Sequence, residues 1–293
     1  MSNSRAQTPE HTAQGDVFCA DAEFVRPGEL WRIEAGSGPF VGLAVHAGHE
    51  FRSDLRSVLA IDDQTRLREE DPYTDQIAAL CGTHIVTFRS RFEVDLNRKP
   101  NEAICVQPED CWNLRVWKED DGLTQTMYRR SLVEHAAFYE MLGPLLSEIE
   151  KREGRFLVLD CHSYNHRRAG PDQPAAEQER NPEINVGTGS MNRAHWAPLV
   201  DQFIGNLQEA DYLGRHLDVR ENVNFRGRHL ARFVHTHFPR SGCCLAIEVK
   251  KIFMDEWTGE LDEGKLSLIK EALASTFPNL RLHLMSGRYV QFE

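Results

Sequence analysis

A chain of 293 residues with 34 lysines and arginines against 45 aspartates and glutamates has a formal net charge of −11. With 41% hydrophobic and 27% charged residues, it has the composition of an ordinary globular protein, long enough for one large domain with a substantial core. The basic residues are scattered, which argues against a nucleic-acid footprint, and no apolar run approaches the roughly 18 residues of a membrane helix.

The chain starts with MSNSRAQTPEHTAQGD, a polar stretch without the apolar centre of a signal peptide. It reads as a disordered tail over residues 1–17 before a single domain over residues 18–293. Phe40–Val45 is a short apolar run that predicts a strand, and it leads into His46-Ala47-Gly48-His49-Glu50. Arg68–Asp75, REEDPYTD, is acidic, and its Asp71-Pro72 pair suits the start of a helix over Tyr73–Leu80. A second strand is expected at His84–Phe88, followed by Ser90–Arg98, SRFEVDLNR. From Thr126 to Arg152 apolar residues recur every three or four positions, predicting a long amphipathic helix. Phe156–Cys161 reads as a third strand running into His162-Ser163-Tyr164-Asn165. Arg167–Pro182, with three prolines and dense charge, reads as an exposed loop. Further helices are expected at Trp196–Leu207 and Lys265–Phe277, and further strands at Cys244–Val249 and Arg281–Leu284. Apolar strands alternating with amphipathic helices indicate an α/β domain with a mixed, mostly parallel sheet flanked by helices.

The seven cysteines are Cys19, Cys81, Cys105, Cys111, Cys161, Cys243 and Cys244. An odd number, no CxxC spacing and mostly apolar surroundings favour reduced thiols in a cytoplasmic protein over a disulfide framework or a cysteine-ligated metal.

In open α/β sheets, ligands bind beyond the carboxyl ends of the strands. Three predicted strands here end in chemically informative groups: His46 after the first, His162 after the third, and Glu248 inside the late apolar run CCLAIEV. A carboxylate in an apolar strand is costly unless it is paired, hydrogen-bonded or next to a cation. Two histidines and a carboxylate, with a coordination position left for water, are the usual composition of a catalytic zinc site. Glu248 suits the proton-transferring role in such a site. Arg91, Asn97 and Arg98 follow the second strand and form a plausible fork for a substrate carboxylate, with Asp95 able to anchor an arginine.

These stretches, in this order, resemble the N-formylglutamate amidohydrolase family, which is related to the zinc carboxypeptidases and the aspartoacylase group. The likeness spans roughly residues 38–260. VHAGHE is similar to the family's His-Ala-Gly turn, and EDPYTDQI to its Asp-x-x-x-Asp segment at Asp71 and Asp75. SRFEVDLNR resembles its Asp-x-Asn-Arg ending, LDCHSYN its Asp-x-His-Ser element, and PEINVGTGS its glycine loop. FRGRHLARFVHTHFPRSGCCLAIEVKKIFMDE resembles its late glutamate-bearing strand with the segment before it. The family's proline before the first histidine is Val45 here, and its paired glycines read Gly227-Arg228.

The resemblance implies a carboxypeptidase-like fold and one divalent metal ion, Zn²⁺, held by His46, His162 and an acid. Glu50 and Asp71 both qualify as that acid, with Asp71 preferred; His49 is expected near the site but off the metal. It also implies Glu248 as general base or acid, and Asn97, Arg98, Arg91 and Arg232 as substrate-binding groups. The expected reaction is hydrolysis of an N-acyl acidic amino acid, N-formylglutamate first. The same chemistry on another acyl amino acid or a modified peptide, or a non-catalytic metal-binding role, are the alternatives. The expected partner is a small molecule or peptide bearing a carboxylate, with no nucleic acid and no membrane.

Overall fold

Strands that are apolar on both faces need cover on both faces, and the chain supplies it with helices. The computed structural model describes residues 30–286; the expected tail over 1–17 and Cys19 lie outside them. Among the described residues, the central sheet has seven strands: β1 (Trp31–Glu34), β2 (Phe40–Ala44), β3 (Thr83–Thr87), β4 (Phe156–Tyr164), β5 (Ile184–Gly187), β8 (Val219–Glu221) and β9 (Gly242–Lys250). A separate two-stranded ribbon joins β6 (Asp211–Tyr212) to β7 (Arg215–His216). The order across the sheet is β1-β3-β2-β4-β9-β5-β8. The central strands β3, β2, β4 and β9 run parallel. β1 is antiparallel to β3, and β5 is antiparallel to β9. The expected mixed, mostly parallel sheet is therefore present.

Along β4 and β9 successive side chains point to opposite faces. Leu157, Leu159, Cys161, Leu245 and Ile247 face one core layer, which is completed by α3 (Thr74–Ala78), α5 (Arg193–Glu209) and α7 (Glu263–Ser286). Phe156, Val158 and Cys244 face the other layer, against α4 (Gln125–Glu153) and α6 (His229–His237). In α4 the buried residues Ser131, His135, Phe138, Leu142, Leu146 and Ile149 follow the three-to-four spacing of one helical face. Thr124 caps its first turn by accepting from Met127 N. Each such buried Leu, Ile or Phe contributes roughly 1.5–3 kcal/mol. A third, smaller core joins Phe51, Leu55 and Ile61 to Phe92, Cys105, Cys111, Val116 and Trp117. It includes the short helix α1 (Ser53–Arg56) and lies near α2 (Asp63–Glu69).

Two sequence expectations fail. Arg281–Leu284 is helical, not a strand: Leu273, Leu280 and Leu284 continue the buried face of α7 while Leu282 is 67% exposed. The alternation RLHL is thus the end of a helical stripe. Cys105 and Cys111 are joined as a disulfide, with Cα atoms 5.8 Å apart; the packing of the third core brings them together. The other described cysteines, Cys81, Cys161, Cys243 and Cys244, are buried free thiols. Among the described residues, no helix is long and apolar enough to cross a membrane.

Candidate active site

The parallel strands end along one edge, and the polar groups that interrupt their apolar runs converge there. His162 lies on β4 directly opposite Glu248 on β9 in the strand register, so both project to the same face. His46 follows β2 in a tight turn. Gly48 permits the next step, because a Cβ there would come within 2.4 Å of the Phe88 carbonyl. Asp71 reaches the same place through its backbone: Asp71 N donates to His46 O at 2.9 Å. Thr74 Oγ1 then bonds the Asp71 carbonyl at 2.6 Å.

His46, Asp71 and His162 are all buried, and their ligand atoms lie within 4.8 Å of one another. Both histidines direct Nδ1 to the same carboxylate oxygen, Asp71 Oδ2, at 3.2 Å from His46 and 3.1 Å from His162. Both turn Nε2 to an acid behind them: His46 to Asp95 Oδ1 at 2.7 Å, His162 to Asp160 Oδ1 at 2.8 Å. An imidazole backed by a carboxylate, with its other nitrogen facing a shared centre, is the arrangement found around ligated metals. Two imidazole nitrogens and one carboxylate oxygen are the donor set of a catalytic zinc site. The residues present therefore fit a divalent cation.

The electrostatics point the same way. Burial alone would raise the Asp71 pKa, but hydrogen bonds from His162 and His46 and the charge of Arg91 hold it well below the usual carboxylate range. Burial likewise opposes the charge on Asp95, yet His46, Arg91 and Arg98 keep it ionised. Burial pushes the His162 pKa down, while Asp160 and Asp71 together raise it well above the usual imidazole range. Burial pushes the Glu248 carboxyl up to about 8, with the charge of His162 opposing and Asp71 reinforcing the shift.

The acid alternative resolves into two different placements. Asp71 is in the group, whereas Glu50 is not. Glu50 pairs its backbone with Arg89 in a bridge, and its side chain is 60% exposed with the nearest Arg89 nitrogen 3.8 Å away. The bridge fixes the alternation of that segment and turns Glu50 outward. His49 also stays off the centre, bonding the Glu70 carboxylate and approaching Arg66.

The four substrate-side residues divide as well. Arg91 Nη2 donates to Asp95 Oδ2 at 3.0 Å, and its Nη1 lies 3.9 Å from Asp71 Oδ1. Arg98 Nε lies 3.2 Å from the same Asp95 oxygen. Both guanidiniums therefore stand beside the histidine pair. Asn97 is buried, and its amide has partners inside the protein. Its Nδ2 is 2.9 Å from His162 Nε2, and its Oδ1 accepts from Leu230 N at 3.1 Å. Arg232 lies on the exposed side of α6, with no described hydrogen bond or ion pair to the group around Asp95; the charge of Arg228, at the start of that helix, reaches Arg98 instead.

Three supporting residues were not read from the sequence. Asp160 had a signal: it sits two positions before His162 in a strand, hence on the same face. Asp95 was seen only as an anchor for arginine. Lys251 gave no sign. It is fully buried, its Nζ donates to Arg68 O at 2.6 Å and Glu70 O at 2.7 Å, and burial pushes it down to about 8. It braces the turn that delivers Asp71.

The sequence profile of the N-formylglutamate amidohydrolase family matches residues 38–254. The structure is similar to that of N-formylglutamate amidohydrolase from Ralstonia eutropha JMP134, at 18% identity and a TM-score of 0.67, covering 88% of this chain and 99% of that one. A gene product from Agrobacterium tumefaciens is also similar, at 18% identity and a TM-score of 0.62, covering 89% of this chain and 96% of that one. At these identities the structural likeness speaks to the fold. No curated protein matches the chain.

Proposed function

The chain belongs to the N-formylglutamate amidohydrolase family, and from that premise we propose that it hydrolyses the amide bond of an N-acylated acidic amino acid, with a divalent cation held by His46, Asp71 and His162. N-formyl-L-glutamate, giving formate and L-glutamate with uptake of one water, is the first substrate to test. The observation that carries the reading is the buried trio with Glu248 in register beside it. When bound, a Zn²⁺ ion supplies a lowered water pKa and a Lewis acid for the scissile carbonyl.

The chain's own residues supply the rest. Glu248 takes the proton of the attacking water and passes it to the departing nitrogen. Its raised pKa suits both halves of that task, since a group near neutrality can accept and release a proton. A positive charge at the trio favours its ionised form and readies it as the base. Asp95 and Asp160 hold the histidine rings in one tautomer with Nδ1 facing the centre. Asn97 Nδ2 donates to Asp160 Oδ2 at 3.4 Å and so steadies the carboxylate behind His162. Arg91 and Arg98 bind the substrate carboxylate, and their contribution is to substrate affinity, read in KM.

The test is Glu248→Gln, which keeps the shape and removes the base. Formate release should fall by about 10²–10⁴-fold while metal content stays at the wild-type level. Near-normal turnover in this variant would overturn the mechanism.

A further inference from the structure

Trp112 is a large aromatic residue in an unusual place. It is 40% exposed, and its backbone is left-handed, with φ 53° and ψ 30°. Bulky side chains seldom adopt that conformation. It immediately follows Cys111, whose disulfide to Cys105 closes the short loop. Asp110 fastens the loop further, accepting from Val106 N at 3.2 Å and Gln107 N at 2.9 Å. The Asp110 carbonyl also accepts from Arg98 Nη1 at 2.8 Å.

The ring of Trp112 lies against both arginines of the site. The Arg91 guanidinium carbon is 5.0 Å from its centroid and that of Arg98 5.7 Å, both within cation–π range. Phe92 meets it edge-on with centroids 6.3 Å apart. Each guanidinium is thus fixed on two sides, by Asp95 and by the indole. A planar fork recognises a carboxylate only in a limited set of orientations, so holding the plane lowers the cost of binding.

We propose that Trp112 is a positioning residue, an aromatic wall held by the Cys105–Cys111 loop that keeps Arg91 and Arg98 turned to receive the carboxylate of the substrate. The role rests on the reading of these arginines as the carboxylate clamp. It acts on substrate capture rather than on the bond-breaking step, because Trp112 reaches the reacting groups only through the arginines.

The test compares wild type, Trp112→Ala and Trp112→Phe, all metal-loaded, in two assays. One is calorimetric binding of L-glutamate; the other is steady-state formate release from N-formyl-L-glutamate. Trp112→Ala should weaken glutamate binding and raise KM about tenfold, with kcat within about threefold of wild type, and Trp112→Phe should recover most of the loss, as an aromatic face predicts. An unchanged Kd and KM in Trp112→Ala would overturn the role of Trp112 alone. An equal failure of the alanine and phenylalanine variants, or a fall in kcat at constant KM, would also overturn it. A wild type that neither binds glutamate nor releases formate would overturn the clamp itself and this role with it.

Discussion

His162 and Glu248 stand on neighbouring parallel strands, and the hydrogen-bond register of β4 and β9 sets them side by side. Arg91, Arg98 and Trp112 stand on the excursion between β3 and α4, in irregular backbone with two short 3₁₀ turns. There, position depends on a disulfide, a few side-chain hydrogen bonds and two cation–π contacts. One half of the site is fixed by the sheet, the other by side chains. Changes in the first half should therefore act on the reaction and the metal, and changes in the second on substrate affinity.

The largest effect should come from the strand-held half. Removing the imidazole in His162→Ala should abolish metal binding and turnover together, measured by metal analysis and formate release. The supporting acid comes next. Asp160→Ala should cost about 10–100-fold in metal affinity or activity, read by competition with a chelator, because His162 loses the group that orients its Nε2. If the fall appeared only in KM for the amino acid, the division between the two halves would be wrong. In the excursion, Arg98→Ala should raise KM by about 10–100-fold, the worth of roughly 1.5–3 kcal/mol for a hydrogen bond to a charged group, with metal content unchanged.

The smallest effect concerns stability rather than catalysis. Glu93, buried within the excursion, accepts from Arg52 N at 2.9 Å and Arg52 Nη1 at 3.2 Å. Burial and the neighbouring Glu134 push its carboxyl up to about 8. A raised carboxyl pKa means that the folded protein holds a proton the unfolded chain releases near pH 4.5. Stability should accordingly fall as pH rises from about 5 to 8. Glu93→Gln should flatten that slope in melting temperature against pH; an unchanged slope would remove Glu93 as its source.

The sequence was most informative where the sheet sets position. Glu248 and His162 were conspicuous because they interrupt apolar strands, and an alternating pattern assigns them a face without knowledge of the rest of the fold. His46 followed from its place after a strand. Asp71 lies in a helix-starting turn, and only the fold shows that its amide bonds the carbonyl of His46, so the choice between Asp71 and Glu50 needed three dimensions. The internal partners of Asn97, Asp160 and Leu230, were not legible because they are distant in sequence. Trp112 and the disulfide were illegible for the same reason: their geometry comes from a small satellite core assembled from residues 51–61 and 92–117, where no periodic pattern reports which side chains meet.

One divalent cation at His46, Asp71 and His162 is proposed to serve amide hydrolysis. Metal content and formate release from N-formyl-L-glutamate, measured side by side on wild type and on His46→Ala/His162→Ala, test it most directly. Wild type should carry about one equivalent of metal per chain and release formate, and the double variant should lose both. A double variant that keeps its metal, or that releases formate at the wild-type rate, would contradict it.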